Sequence, residues 1–243
     1  MGLTITGGVT FGSGISLLTP AVQDPFWANV ELLLSATTAV NNTFVDSSTN
    51  NFTITVGGNT VTSTSDPYAL PNNFGSISFD GTDDYLLSPS SAALDFGTGN
   101  FTIEAWVNFS ALSSNRMILD RWTSGLAGGW QLYWRATGTS LTFFAGNAVV
   151  VQDPSTTNIV TNTWYHVAVT RSSGTVRLFL NGTSVASAAN STSLNSTLPL
   201  AVGIQYTTLT NDLLGGVTDV RITNGIARYT SNFTPPTAPF PTS

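Results

Sequence analysis

The sequence predicts an all-β protein, and three observations carry the prediction. The chain is rich in Thr and aromatics, which favour strands, and in Gly, Asn and Ser, which favour turns. The run FTIEAWVNF alternates strictly, with Phe101, Ile103, Ala105, Val107 and Phe109 on one face and Thr102, Glu104, Trp106 and Asn108 on the other. That is the pattern of a half-buried strand. Asn181-Gly182 stands between VRLFL and TSVASA, the strongest short-range signal for a β-hairpin.

Taken in order, residues 1–20 form an arm in which small and β-branched residues alternate between Gly turns, up to Pro20. It is too short to enclose a core, so it is expected to dock on its own domain or on an assembly. Residues 21–243 are read as one domain. Its first strand is expected at Val30–Leu34, followed by Asn/Ser/Thr-rich loops with short strands near Phe52–Val56 and Asn59–Thr62. Beyond 101–109, strands are expected at Arg116–Trp122, Trp130–Arg135, Leu141–Ala145, Trp164–Thr170, Thr175–Leu180 and Gly216–Ile222. The best helical stretch is a turn or two around Gly225–Tyr229. The tail TPPTAPFPTS is extended, because proline blocks ladder hydrogen bonds.

Composition narrows the function. Hydrophobic residues make up 41% of 243, enough for a sizeable core, while only 8% are charged, against roughly 25% in an ordinary soluble domain. The formal charge is −6, all seven bases are Arg, and none of them cluster. Phosphate neutralisation needs clustered positive charge, so nucleic acid is not the expected partner. The absence of Cys excludes disulfides and thiolate metal sites and points to folding in a reducing cytosol. No apolar run approaches a membrane span, and Met1–Pro20 has no signal-peptide pattern. The expected route outside is release of a cytosolic product by lysis.

Five segments in order then carry a resemblance: SISFDGTDDYLL, FTIEAWVNF, ILDRW with GGWQLYW, NTWYHVAVTRSSGTVRLFLNGTSVASA, and GGVTDVRITNGIARYTSNFTPPTAPFP. Together, over about residues 24–240, they resemble laminin-G-like, concanavalin A-like jelly-roll domains of tailed-phage structural proteins and bacterial surface proteins. The resemblance implies a two-sheet antiparallel jelly-roll sandwich with Val30–Leu34 beside the last strand. The closing motif is most similar to versions carried by phage virion proteins.

Candidate chemistry divides four ways. Glycoside hydrolysis needs two carboxylates across the scissile bond, and the family's glucanases carry Glu-x-Asp-x-x-Glu on one strand. Here Glu31 and Glu104 are the only Glu, and Glu104 has no acid two or five residues on; it reads as structural. The sole His, His166, lies on a strand with no nucleophile elbow nearby and reads as packed. Many laminin-G-like domains hold Ca²⁺ at the sandwich rim with oxygen ligands. The best local cluster is Asp80, Asp83 and Asp84, which reads equally as an ordinary turn, and LLLSATTAV replaces the LLLHFDG of relatives that carry the pattern. Sugar binding needs aromatic platforms. Most Trp are expected between the sheets, with either Trp130, Leu132 and Trp134 or Gln131, Tyr133 and Arg135 inward; a glycan site is expected at Trp122, Trp130, Tyr206 and Asn211.

The leading expectation is a non-enzymatic phage virion surface protein, decorating the capsid or sitting on the tail. It would assemble through residues 1–20 on major capsid or tail proteins as a homo-oligomer, with a homotrimer as the expected form. The alternative is a carbohydrate-binding adhesin that recognises host surface glycans; a glycoside hydrolase is the remote alternative. No cofactor is expected, Ca²⁺ at Asp80, Asp83 and Asp84 being the one candidate.

Overall fold

The strand Phe101–Phe109 lies at the centre of the structure, and its inward row of Phe101, Ile103, Ala105, Val107 and Phe109 is fully buried. The computed structural model describes residues 23–35, 42–68, 75–154 and 159–243; the expected arm at 1–20 lies outside them. Fifteen strands are found among the described residues. They are β1 Val30–Leu34, β2 Thr55–Gly57, β3 Val61–Ser63, β4 Ser76–Asp80, β5 Tyr85–Leu87, β6 Phe101–Phe109, β7 Arg116–Asp120, β8 Trp130–Arg135, β9 Ser140–Ala145, β10 Ala148–Gln152, β11 Trp164–Ser172, β12 Thr175–Leu180, β13 Thr183–Ala189, β14 Ala201–Val202 and β15 Leu214–Asn224.

Among the described residues the strands form two sheets, and every strand pair is antiparallel. The larger runs β13-β12-β11-β6-β15-β4-β3, with β1 also on β15; the smaller runs β10-β9-β8-β7-β14-β5-β2. One apolar core lies between them, with Phe101, Val107, Val167 and Ile222 from the larger sheet meeting Trp130, Trp134, Phe143 and Leu119 from the smaller. This is the jelly-roll sandwich the sequence predicts.

Local chemistry sets the details. Asn181 and Gly182 both adopt positive φ, 49° and 76°, as a two-residue hairpin requires, and Leu180 pairs with Thr183 across them. β15 carries a bulge between Thr218 and Arg221, with Asp219 at φ 50°. The bulge lets the first half of β15 pair with β4 and the second half with β1, so Val220 faces Leu34 and Thr223 faces Val30. Three expectations need correction. The short strands start later, at Thr55 and Val61: Asp46 draws the chain before the first into a turn by accepting the N–H groups of Leu33, Ser48 and Phe52, and the turn before the second is held by Asn59 N–H on Asp84 and Thr60 Oγ1 on the Gly57 carbonyl. β7 ends at Asp120, whose carboxylate accepts the Trp122 N–H and turns the chain out of the sheet. Gly225–Tyr229 is not helical: the Gly225 N–H bonds Asn100 and the Arg228 N–H bonds Thr102 Oγ1.

A groove on the larger sheet as the candidate site

The outward face of the larger sheet is divided in two. Over one half lies the tail, held by a sealed charge network. Arg221 donates through Nε to Glu104 Oε1 at 2.9 Å and through Nη1 to Asp24 Oδ2 at 2.9 Å, and its Nη2 pairs with Glu104 Oε1 at 2.8 Å. Arg228 grips both Asp24 oxygens, at 2.9 and 2.8 Å. The Tyr229 hydroxyl donates to Glu104 Oε2 at 2.8 Å. His166 Nε2 lies 3.3 Å from the same oxygen, close enough for charge pairing but without hydrogen-bond alignment. The Tyr229 and Phe233 rings stack 3.5 Å apart over this cluster, with His166 edge-on to both. Burial pushes the Glu104 carboxyl up, but Arg221, His166 and Arg228 outweigh it and hold the pKa at about 2. Glu104 and His166 are fully covered, so the network fastens the tail and presents no surface to a ligand.

The other half of the face is open. Directly paired residues on neighbouring strands share a face, and the registers align Val61, Ser78, Gly216, Asn108 and Trp164 in one row across β3, β4, β15, β6 and β11. A groove of about 450 Å³ follows this row, within the size range of small-ligand sites. Gly216 is its floor. A Cβ at Gly216 would stand 3.1 Å from Trp164 Cη2 and 3.2 Å from Ser76 Oγ, so the glycine makes room for the six-membered ring of the indole. The indole Nε1 donates to Ser65 Oγ at 3.2 Å, which anchors a half-exposed ring across the sheet. Asn108, Ser110 and Asp80 supply amide, hydroxyl and carboxylate groups along the walls. Gly216→Val is expected to tilt the indole and weaken any ligand held on it by about tenfold while the fold persists; titration beside a thermal melt checks this.

The sequence-predicted residues lie elsewhere. Trp130 is 1% exposed and stacks with Phe96 in the core; its assignment as a sugar contact is corrected, because Trp130, Leu132 and Trp134 are the inward set of β8. Trp122 and Tyr206 flank Asp120 at the smaller sheet. Asp120 Oδ1 accepts the Trp122 N–H and Gln131 Nε2, and Oδ2 accepts the Tyr206 N–H. Trp122 also stands edge-on over Phe144 at 5.2 Å, and Tyr206 edge-on to Tyr85 at 6.2 Å. Asn211 Nδ2 donates to Gln205 within its own loop.

In the acidic turn, Asp84 is buried and accepts the N–H groups of Asn59 and Asp80, while Asp80 Oδ1 accepts from Thr82. The Asp83 N–H bonds Asp212 Oδ1. Among the described residues no three His, Cys, Asp or Glu side chains converge as a metal site.

Residues 80–228 match the family model of the concanavalin A-like lectin/glucanases superfamily, in its laminin-G form. The chain belongs to this superfamily. No curated protein matches it in sequence. Among solved structures, this concanavalin A-like domain resembles domain 4 of AbnA, a GH43 extracellular arabinanase from Geobacillus stearothermophilus, in complex with arabinotriose. The TM-score is 0.64 and the identity 17%, covering 81% of this chain and 93% of that one. It also resembles the binding domain of Paraclostridial Mosquitocidal Protein 1, at TM-score 0.62 and 13% identity over 82% of this chain. The botulinum neurotoxin serotype D binding domain follows at TM-score 0.60 and 17% identity over 86%. The chain spans about half of each toxin domain, 49% in both cases. At these identities the likeness establishes the lectin-like jelly roll. The sequence reading did not select the groove residues Trp164, Asn108 and Gly216; the signal available was parity, since Trp164 alternates with His166 against the apolar row Tyr165, Val167 and Val169.

Proposed function

We propose that this domain is a non-catalytic glycan-binding module and that its ligand lies in the Trp164 groove. The observation that carries the reading is the anchored indole over Gly216, with Asn108 and serine hydroxyls beside it. An apolar ring flanked by neutral hydrogen-bonding groups suits a sugar, which has a C–H face and an equatorial rim of hydroxyls. The arabinanase domain crystallised with arabinotriose is a relative of nearly equal extent, which supports the reading. The similarity of the closing segment, residues 219–241, to phage virion versions supports a particle surface as the setting. Locating the chain by electron microscopy of purified particles tests that setting separately.

Titration with a panel of oligosaccharides that includes arabinotriose tests the site. Trp164→Ala is expected to weaken binding by about 30-fold or more, as truncation of a central aromatic anchor does, without shifting the thermal melt appreciably. Loss of binding in Trp122→Ala with Trp164→Ala intact would move the site to the smaller sheet. No binding of any sugar by the wild type would end the glycan reading.

A further inference from the structure

Granted the glycan-binding reading, on which it rests, we infer that the groove selects uncharged glycans and rejects acidic ones. Recognition of a sugar carboxylate or sulfate needs a cation or a cluster of N–H donors at the anion. Among the described residues the groove lining contains no Arg and no His, and the whole chain contains no Lys. Its charged wall residue is Asp80, and its other polar side chains are neutral Ser and Asn.

The nearby cations are committed elsewhere. Arg116, closest along the chain to the groove residue Ser110, donates to the carbonyls of Ala111 and Asp212. Arg221 and Arg228 are locked under the tail against Glu104 and Asp24. Arg121 and Arg171 are fully buried. Behind Asp80 stand Asp83, Asp84 and Asp212, linked through the turn at 80–84. That end of the groove is therefore negative, in a chain of formal charge −6. An acidic sugar would meet the Asp80 carboxylate with no cation in the lining to pair with it, whereas a neutral sugar can donate hydroxyl protons to the Asp80 carboxylate and the Asn108 carbonyl oxygen.

The test is a glycan array carrying matched neutral, sialylated and sulfated glycans, probed with the full chain, Trp164→Ala, Asp80→Asn and Ser110→Lys. Asp80→Asn retains an oxygen for the Thr82 N–H that the wild-type carboxylate accepts at 2.8 Å. Ser110 is exposed on the wall. The expected result is a Trp164-dependent signal confined to neutral glycans in the wild type. Asp80→Asn should narrow the gap, and Ser110→Lys should raise binding of sulfated members by about fivefold, an effect that fades at high salt. Trp164-dependent binding of acidic members equal to or above their neutral counterparts overturns the selectivity and leaves glycan binding standing. An unchanged neutral-to-acidic ratio in both charge variants also overturns it. Absence of any Trp164-dependent signal overturns the glycan reading and the selectivity together.

Discussion

Arg221→Ala is expected to destabilise the domain by about 3–5 kcal/mol, the range found when one partner of a buried ion pair is removed. For a domain of this size that lowers Tm by on the order of 10 °C. Arg221 is the hinge of the tail network: it pairs with Glu104 through Nε and Nη2 and with Asp24 through Nη1, and the Phe240 ring centroid lies 3.6 Å from its guanidinium carbon. Without it, Asp24 retains Arg228, but the Tyr229 hydroxyl is the one aligned hydrogen-bond donor left to Glu104 among the described residues, with His166 Nε2 at 3.3 Å out of alignment and Arg228 Nε at 3.9 Å. Pairing the change with Glu104→Gln should restore at least half of the loss, because the uncompensated buried charge disappears. The same network sets the acid limb. Glu104 titrates at about 2 against an ordinary 4.5. A depressed carboxylate pKa contributes stability that is present above about pH 4.5 and lost as pH falls through about 2, an effect of about 3 kcal/mol. Urea unfolding between pH 2 and 5 should show that slope in the wild type and lose most of it in Arg221→Ala.

The strands were legible where parity was clean. In Phe101–Phe109 and Trp130–Arg135 the apolar residues fall on alternate positions, and the structure turns those sets inward. The same rule, applied to Trp164–Ser172, separates the apolar row of Tyr165, Val167 and Val169 from Trp164 and His166. A tryptophan that opens a strand is therefore core in one case and surface in the other, and neighbour parity decides which. The groove itself was not legible. Its row joins β3, β4, β6, β11 and β15, whose registers depend on long-range pairings such as Gly216 with Asn108. A glycine in a central strand signals a close approach, but nothing local says that Trp164, more than fifty residues away, is what approaches. The tail network was hidden for the same reason, since Asp24 and Arg228 meet across 204 residues.

The loops that carry Trp122 and Tyr206 were expected together, and the carboxylate that ties them is the source of the second large effect. Asp120 is 1% exposed. Burial pushes its pKa up to about 6, and the hydrogen bonds from Gln131, Tyr206 and Trp122 pull it back only in part. A carboxyl raised in the folded state binds more protons there than in the unfolded chain between about 3.8 and 6. Stability therefore falls as pH rises through that window, by about 3 kcal/mol. With the Glu104 limb below, maximal stability is expected near pH 4–5, more acidic than for most proteins. Asp84 and Asp219 are also pushed up, burial being the largest cause in each, so the wild-type slope alone does not isolate Asp120. Asp120→Asn does: it cannot ionise, and it keeps one oxygen for the Trp122 N–H and Gln131. Its amide, however, meets the Tyr206 N–H donor to donor, so the loop after β14 should loosen. Urea unfolding at pH 4.5 and 7.5 should therefore show a wild type distinctly more stable at the lower pH and a variant with a clearly smaller difference, the remainder coming from Asp84 and Asp219. Faster amide exchange near Tyr206 should accompany the change. Equal wild-type stability at both pH values would mean that the loop hydrogen bonds already offset the burial of Asp120.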